Sequence, residues 1–121
     1  MHELSLCESI ARAVTREAGG RRVTSVRLRI GALRQVVPET LTYCWSITSR
    51  GPILDGSELE IEHVPAEIEC RGCGTRSQLS RFNLCCPGCG GRDVTVVAGE
   101  EMLIVSIDVA ETLDPFAIPP V

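Results

Sequence analysis

The chain has 121 residues, 44% of them hydrophobic, and a formal net charge of −4, which suits one globular domain or one domain carrying a small insertion. All twelve basic residues are arginine, so Schiff-base chemistry and a phosphate-loop lysine are excluded. The acidic balance argues against a surface built as a whole for nucleic acid.

In chain order, residues 4–18 read as a helix. Cys7, Ala11, Val14 and Ala18 fall on one face with Leu6 and Ile10 beside it. Ser5 and Glu8 have capping-box spacing, which places the helix start near Ser5, and Gly19-Gly20 ends it. Residues 23–30 alternate, with Val26, Leu28 and Ile30 opposite Arg27 and Arg29, as in a strand with one wet face. Pro38 opens a second helix with Glu39 at its N-terminal dipole. Leu41, Cys44, Trp45 and Thr48 share a face, and Gly51-Pro52 stops it. Residues 58–64 alternate again, Leu59, Ile61 and His63 against Glu58, Glu60 and Glu62. Residues 101–109 form the most apolar strand, with Leu103, Val105, Ile107 and Val109 in alternation. The tail, with Pro115, Pro119 and Pro120, is expected to be irregular. Tyr43, Trp45, Phe82 and Phe116 are the only aromatic residues, so the core must be mainly aliphatic.

This order gives an α+β fold: a small three-stranded sheet with two helices, plus an inserted zinc-ribbon-like four-cysteine module. The expected division is residues 1–64 with 99–121 as one domain and 65–98 as the insertion, with Pro65 and Gly99 as hinges.

Cys70-x-x-Cys73 and Cys86-x-x-Cys89 stand twelve residues apart, and Gly74 and Gly90 directly follow them. Two such knuckles bring four thiolates to one tetrahedral point, the pattern of a closed, structural Zn2+ site. The glycines let the backbone turn so that amides face the sulfurs. Two other readings use the same pattern. One is a rubredoxin-like iron site, which would want more aromatic packing than Phe82 supplies. The other is a nucleic-acid-binding zinc ribbon, suggested by Arg71, Arg76, Arg81 and Arg92 in a stretch without acids but short of stacking surface. Cys85 is an alternative partner for Cys89, while Cys7 and Cys44 read as small core hydrophobes. Seven cysteines, four of them with metal spacing, fit a reducing cytosol better than a disulfide scaffold. No stretch is long and apolar enough for a transmembrane helix, and the N-terminus lacks a secretory pattern.

The chain begins Met1-His2-Glu3. The α-amine, the His2 amide and the His2 imidazole Nδ1 form fused five- and six-membered chelate rings. That planar nitrogen set suits Ni2+ or Cu2+ more than Zn2+. Histidine at position 2 leaves a fourth planar position open, for Glu3 or for a second histidine, of which His63 is the only one. His63 shares the parity of Leu59 and Ile61, so its default is a buried or half-buried structural residue. Taken alone, His2 would be a solvated terminal residue; the metal reading gains from the rest of the chain.

Met1-His2-Glu3-Leu4-Ser5-Leu6, the two cysteine pairs and Gly99-Glu100-Glu101-Met102-Leu103-Ile104 resemble the HypA/HybF family of hydrogenase-maturation nickel metallochaperones. The resemblance spans essentially the whole chain. It implies a nickel site at Met1, His2 and Glu3, with Ni2+ as transient cargo, and a structural Zn2+ site at Cys70, Cys73, Cys86 and Cys89. It also implies a cytoplasmic carrier rather than an enzyme, monomeric or homodimeric. Its implied partners are a maturation GTPase and the [NiFe]-hydrogenase large subunit, with urease served in some relatives and neither nucleic acid nor membrane bound. Histidines that some relatives carry in the zinc module are missing, since no histidine lies between residues 64 and 121. A nickel ligand or pH sensing from that module is therefore not expected.

Overall fold

A computed structural model describes residues 3–79 and 84–110. In chain order these form α1 (Glu3–Ala18), β1 (Val23–Gly31), a 3-10 turn (Ala32–Arg34), α2 (Pro38–Thr48), β2 (Glu58–Val64), β3 (Ala66–Cys70), β4 (Arg76–Leu79), β5 (Val94–Ala98) and β6 (Met102–Val109). One sheet has the order β2-β1-β6 and the other β4-β3-β5. The α+β class, the two helices and the first sheet are as the hydrophobic periods predict. The second sheet lies inside the cysteine region, where the hydrophobic periods predict no strand.

The chain divides into two compact units: residues 1–28, 37–61 and 104–121, and residues 29–36 with 62–103. In the first unit α1 buries Cys7, Ile10, Ala11, Val14 and Ala18, the stripe expected at helical spacing. Glu3 sits in its first turn and Arg16 in its last, both favourable to the helix dipole. Its start at Glu3 is two residues before the Ser5 expected from capping-box spacing. Gly19 and Gly20 take φ of 59° and 89° and terminate it. Pro38 opens α2 as predicted, and Leu41 and Trp45 are its buried residues. The helix ends at Thr48, ahead of Gly51, where Ser49 N–H closes on the Trp45 carbonyl at 2.8 Å. Among the described residues Trp45 is the largest enclosed side chain, and its indole N–H donates to Ser57 Oγ at 3.0 Å.

Cys7 is wholly enclosed, and its thiol lies 3.4 Å from the Leu41 carbonyl across the helix pair. Burial, then the nearby Cys44 and Glu3, push its pKa from 9.0 up to about 11. The folded state therefore holds the neutral thiol more strongly than the unfolded chain does. Its contribution is intact below pH 9 and is lost as pH rises through about 11, at a cost on the order of 2 kcal/mol. Urea midpoints at pH 8 and 10.5 should fall further apart in the wild type than in Cys7→Ala. Equal separations would show that Cys7 does not titrate with unfolding.

β1 is the central strand of its sheet and buries Val23, Val26, Leu28 and Ile30. Its outward arginines meet β2 carboxylates, Arg27 with Glu60 at 3.2 Å and Arg29 with Glu62 at 3.0 Å. These exposed pairs favour the observed register but add little stability. β6 is an edge strand, and Leu103, Ile104 and Val105 remain 51%, 40% and 42% exposed. Among the described residues its apolar sequence thus marks a strand with one bonded neighbour, not a buried centre. His63 corrects its default: Leu59 and Ile61 are half-buried as expected, but the alternation slips near the strand end and leaves His63 exposed. The proline-containing tail lies outside the described residues.

Candidate metal centre

In the second unit, β3 alternates with Ala66, Ile68 and Cys70 buried and pairs antiparallel with both β4 and β5. β-branched Val94, Thr95, Val96 and Val97 suit β5 to that pairing. Cys70, the last residue of β3, enters the first knuckle. There its N–H donates to the Thr75 carbonyl at 2.9 Å, and Gly74 N–H returns to the Cys70 carbonyl at 2.8 Å. The second knuckle repeats the pattern, Cys86 N–H to the Gly91 carbonyl at 2.9 Å and Gly90 N–H to the Cys86 carbonyl at 2.8 Å. Gly74 and Gly90 both have φ of 74°, a left-handed turn that glycine adopts without strain.

The two loops bring Cys70, Cys73, Cys86 and Cys89 together, with all four sulfurs within 4.8 Å of one another. The Cys70–Cys89 and Cys73–Cys86 sulfur separations are both 3.6 Å. Four thiolates about 2.3 Å from a tetrahedral ion stand about 3.8 Å apart, so the cluster fits one ion of Zn–S dimensions. Cys70 and Cys86 are buried and Cys73 and Cys89 exposed. Cys85 is half-buried and outside the cluster, so Cys86 is the sulfur the knuckle uses.

Sequence reasoning missed the residues that tune the sulfurs. Cys73 Sγ lies 3.2 Å from the Thr75 hydroxyl, and hydrogen bonds from that side chain and its backbone, with Cys86 and Cys70, lower the thiol to about 6. At Cys89 the Gly91 amide favours the thiolate. The neighbouring Cys70, Cys73 and Cys86 outweigh it and raise the group to about 11. Four thiolates this close resist simultaneous charging, so a cation that neutralises them displaces protons on entry. Thr75 and Gly91 each stand two residues after the second cysteine of a pair, a signal readable once the knuckle is recognised.

Two of the local arginines are paired with neighbouring side chains. Arg71 donates to Thr95 Oγ1 at 3.0 Å and lies 3.9 Å from Asp93, while Arg76 pairs with Glu67 at 3.1 Å. Arg81 and Phe82 lie outside the described residues. Met1 and His2 also do, and Glu3 is half-exposed at the start of α1. Among the described residues no helix is long and apolar enough to cross a membrane.

A protein-family model described as "Hydrogenase/urease nickel incorporation, metallochaperone, hypA" matches residues 1–109. The chain is 43% identical over 109 residues to the hydrogenase maturation factor HypA of Geotalea uraniireducens (strain Rf4), covering 90% of this chain and 99% of that one. It is 38% identical over 112 residues to the factor of the same name from Nostoc sp. (strain PCC 7120 / SAG 25.82 / UTEX 2576), covering 92% and 97%. Its fold is similar to the solution structure of the Ni metallochaperone HypA from Helicobacter pylori, with a TM-score of 0.63 at 19% identity over 90% of this chain and 97% of that one.

Proposed function

The chain belongs to the HypA family of nickel metallochaperones acting in hydrogenase maturation, and from that premise we propose that it captures Ni2+ through Met1, His2 and Glu3. The observation that carries this reading is the family match, which runs from residue 1 through the cysteine centre to residue 109. The N-terminal amine, the deprotonated His2 amide and the imidazole supply three nitrogen donors, and Glu3 completes the set. Nickel favours such a planar nitrogen field. All three nitrogens regain protons as pH falls, which gives a chemical route to release.

Zn2+ is the ion that suits Cys70, Cys73, Cys86 and Cys89. It would hold the two knuckles together and supply no chemistry to the cargo, since four protein ligands leave no open position. Residues 65–98 are read as the zinc-binding domain, with 1–64 and 99–121 as the nickel-binding domain. The carrier works in the cytoplasm without catalysing a reaction, with a maturation GTPase, and delivers nickel to the [NiFe]-hydrogenase large subunit. Service to urease is a second destination compatible with the same cargo.

Blocking the amine tests the chelate directly. Acetylation of Met1 should abolish stoichiometric Ni2+ binding in calorimetry while zinc content stays unchanged. Unchanged nickel binding after acetylation would remove the amine from the ligand set and sink this form of the site.

A further inference from the structure

The second compact unit includes residues 29–36 together with the cysteine region. What secures them is a crossing of three backbones at Gly31, Gly99 and Ala66. A Cβ built on Gly31 would stand 2.0 Å from the Gly99 carbonyl oxygen, and one on Gly99 would stand 2.6 Å from Ala66 Cα. No side chain fits at either position without moving main chain. Gly99 also has φ of 110°, a conformation that residues with a side chain rarely adopt.

Hydrogen bonds surround the crossing. Gly31 N–H donates to the Glu101 carbonyl and Leu33 N–H to the Gly99 carbonyl, both at 2.8 Å. Arg34 Nε donates to the Glu100 carbonyl at 2.7 Å, and Gly99 N–H donates to the Glu101 carboxylate at 2.7 Å.

β3 and β5 each connect this crossing to the cysteine centre. β3 begins at Ala66, against Gly99, and ends at the ligand Cys70. β5 ends at Ala98, next to Gly99, and begins at Val94, the register partner of Cys70. Arg71 N–H donates to the Asp93 carbonyl at 2.9 Å, so the pairing continues into the first knuckle. Five-residue strands with so few buried apolar side chains do not hold their register alone.

We propose that metal occupancy of the four-cysteine centre is transmitted along β3 and β5 to the Gly31–Gly99–Ala66 crossing and sets the order of residues 29–36. With the ion in place, the strand pair is pinned at its cysteine end and the crossing stays closed. With the ion removed, the pairing frays from Cys70 towards Ala66, and the bonds at Gly31, Leu33 and Arg34 lose their support. Residues 29–36 are far in sequence from the cysteines, so the device reaches a segment that the knuckles do not adjoin along the chain. The inference rests on a metal ion filling the four-thiol centre.

Hydrogen exchange on the full chain, with zinc bound and after stripping under reducing conditions, tests it. Peptides covering 66–70 and 29–36 should both exchange at least tenfold faster without metal. Faster exchange at 66–70 with unchanged exchange at 29–36 would overturn the coupling and leave the metal centre intact. No change in either would overturn the metal reading and the coupling with it. Gly31→Ala provides the converse: with zinc retained, 29–36 should exchange at least tenfold faster while peptides spanning the cysteines stay protected. Wild-type protection at 29–36 in that variant would show that the crossing does not hold the segment. If Gly31→Ala fails to fold, the comparison of loaded and stripped wild type still decides.

Discussion

Removing the metal should melt the cysteine region while leaving the helices standing. Among the described residues, the fully buried apolar side chains of the second unit, apart from the ligands Cys70 and Cys86, are Ile30, Ala66 and Ile68. A buried isoleucine is worth about 1.5–3 kcal/mol, whereas ordering each residue costs about 1–2 kcal/mol in backbone entropy. Two isoleucines and one alanine are too small a core to order residues 65–98 without the metal. A structural Zn2+ in small thiolate modules contributes about 10–16 kcal/mol, more than those side chains together. Chelation should therefore abolish amide protection in β3, β4 and β5, and Cys86→Ser should reproduce much of that loss. α1 and α2 should persist, because Cys7, Ile10, Val14, Leu41 and Trp45 are packed in the other unit. A metal-free protein that keeps protected amides in β3–β5 would refute this account of what folds the module.

Trp45→Ala should do comparable damage to the first unit. Trp45 is 2% exposed and carries the indole hydrogen bond to Ser57. Truncating a buried tryptophan costs about 3–5 kcal/mol, a large share of the roughly 5–15 kcal/mol that holds a domain. Ser57 Oγ loses its donor as well. We expect a lower helical circular-dichroism midpoint in Trp45→Ala, with zinc still bound, and a smaller loss in Trp45→Phe, which retains a ring but not the N–H. A midpoint in Trp45→Ala equal to the wild type would show that this side chain does not anchor α2.

The helices and β1 were legible because each carries a period that its own side chains define. Cys7, Ala11 and Val14 fall on one helical stripe, and Val26, Leu28 and Ile30 on one strand face. The four cysteines were legible because metal geometry dictates their spacing. β4 was not: Arg76-Ser77-Gln78-Leu79 has no strand pattern of its own and pairs with β3 across the first knuckle. The exposure of Ile104 and Val105 follows from the place of β6 at a sheet edge, which no local pattern encodes. His63 shows the limit of parity, since the alternation that buries part of Leu59 and Ile61 does not persist to the end of β2. The tight approach of Gly31 to Gly99 joins residues 68 positions apart, and from sequence alone each looked like an ordinary strand end or hinge.

The proposed holder of nickel is the N-terminus and not the cysteine centre. The most direct test is a calorimetric Ni2+ titration of untagged, zinc-loaded protein with its native Met1 amine, beside His2→Ala, with zinc quantified in both. One nickel per chain in the wild type and none in His2→Ala, with zinc unchanged, is the predicted result. Equal nickel binding by the two proteins, or nickel uptake matched by loss of zinc, would contradict it.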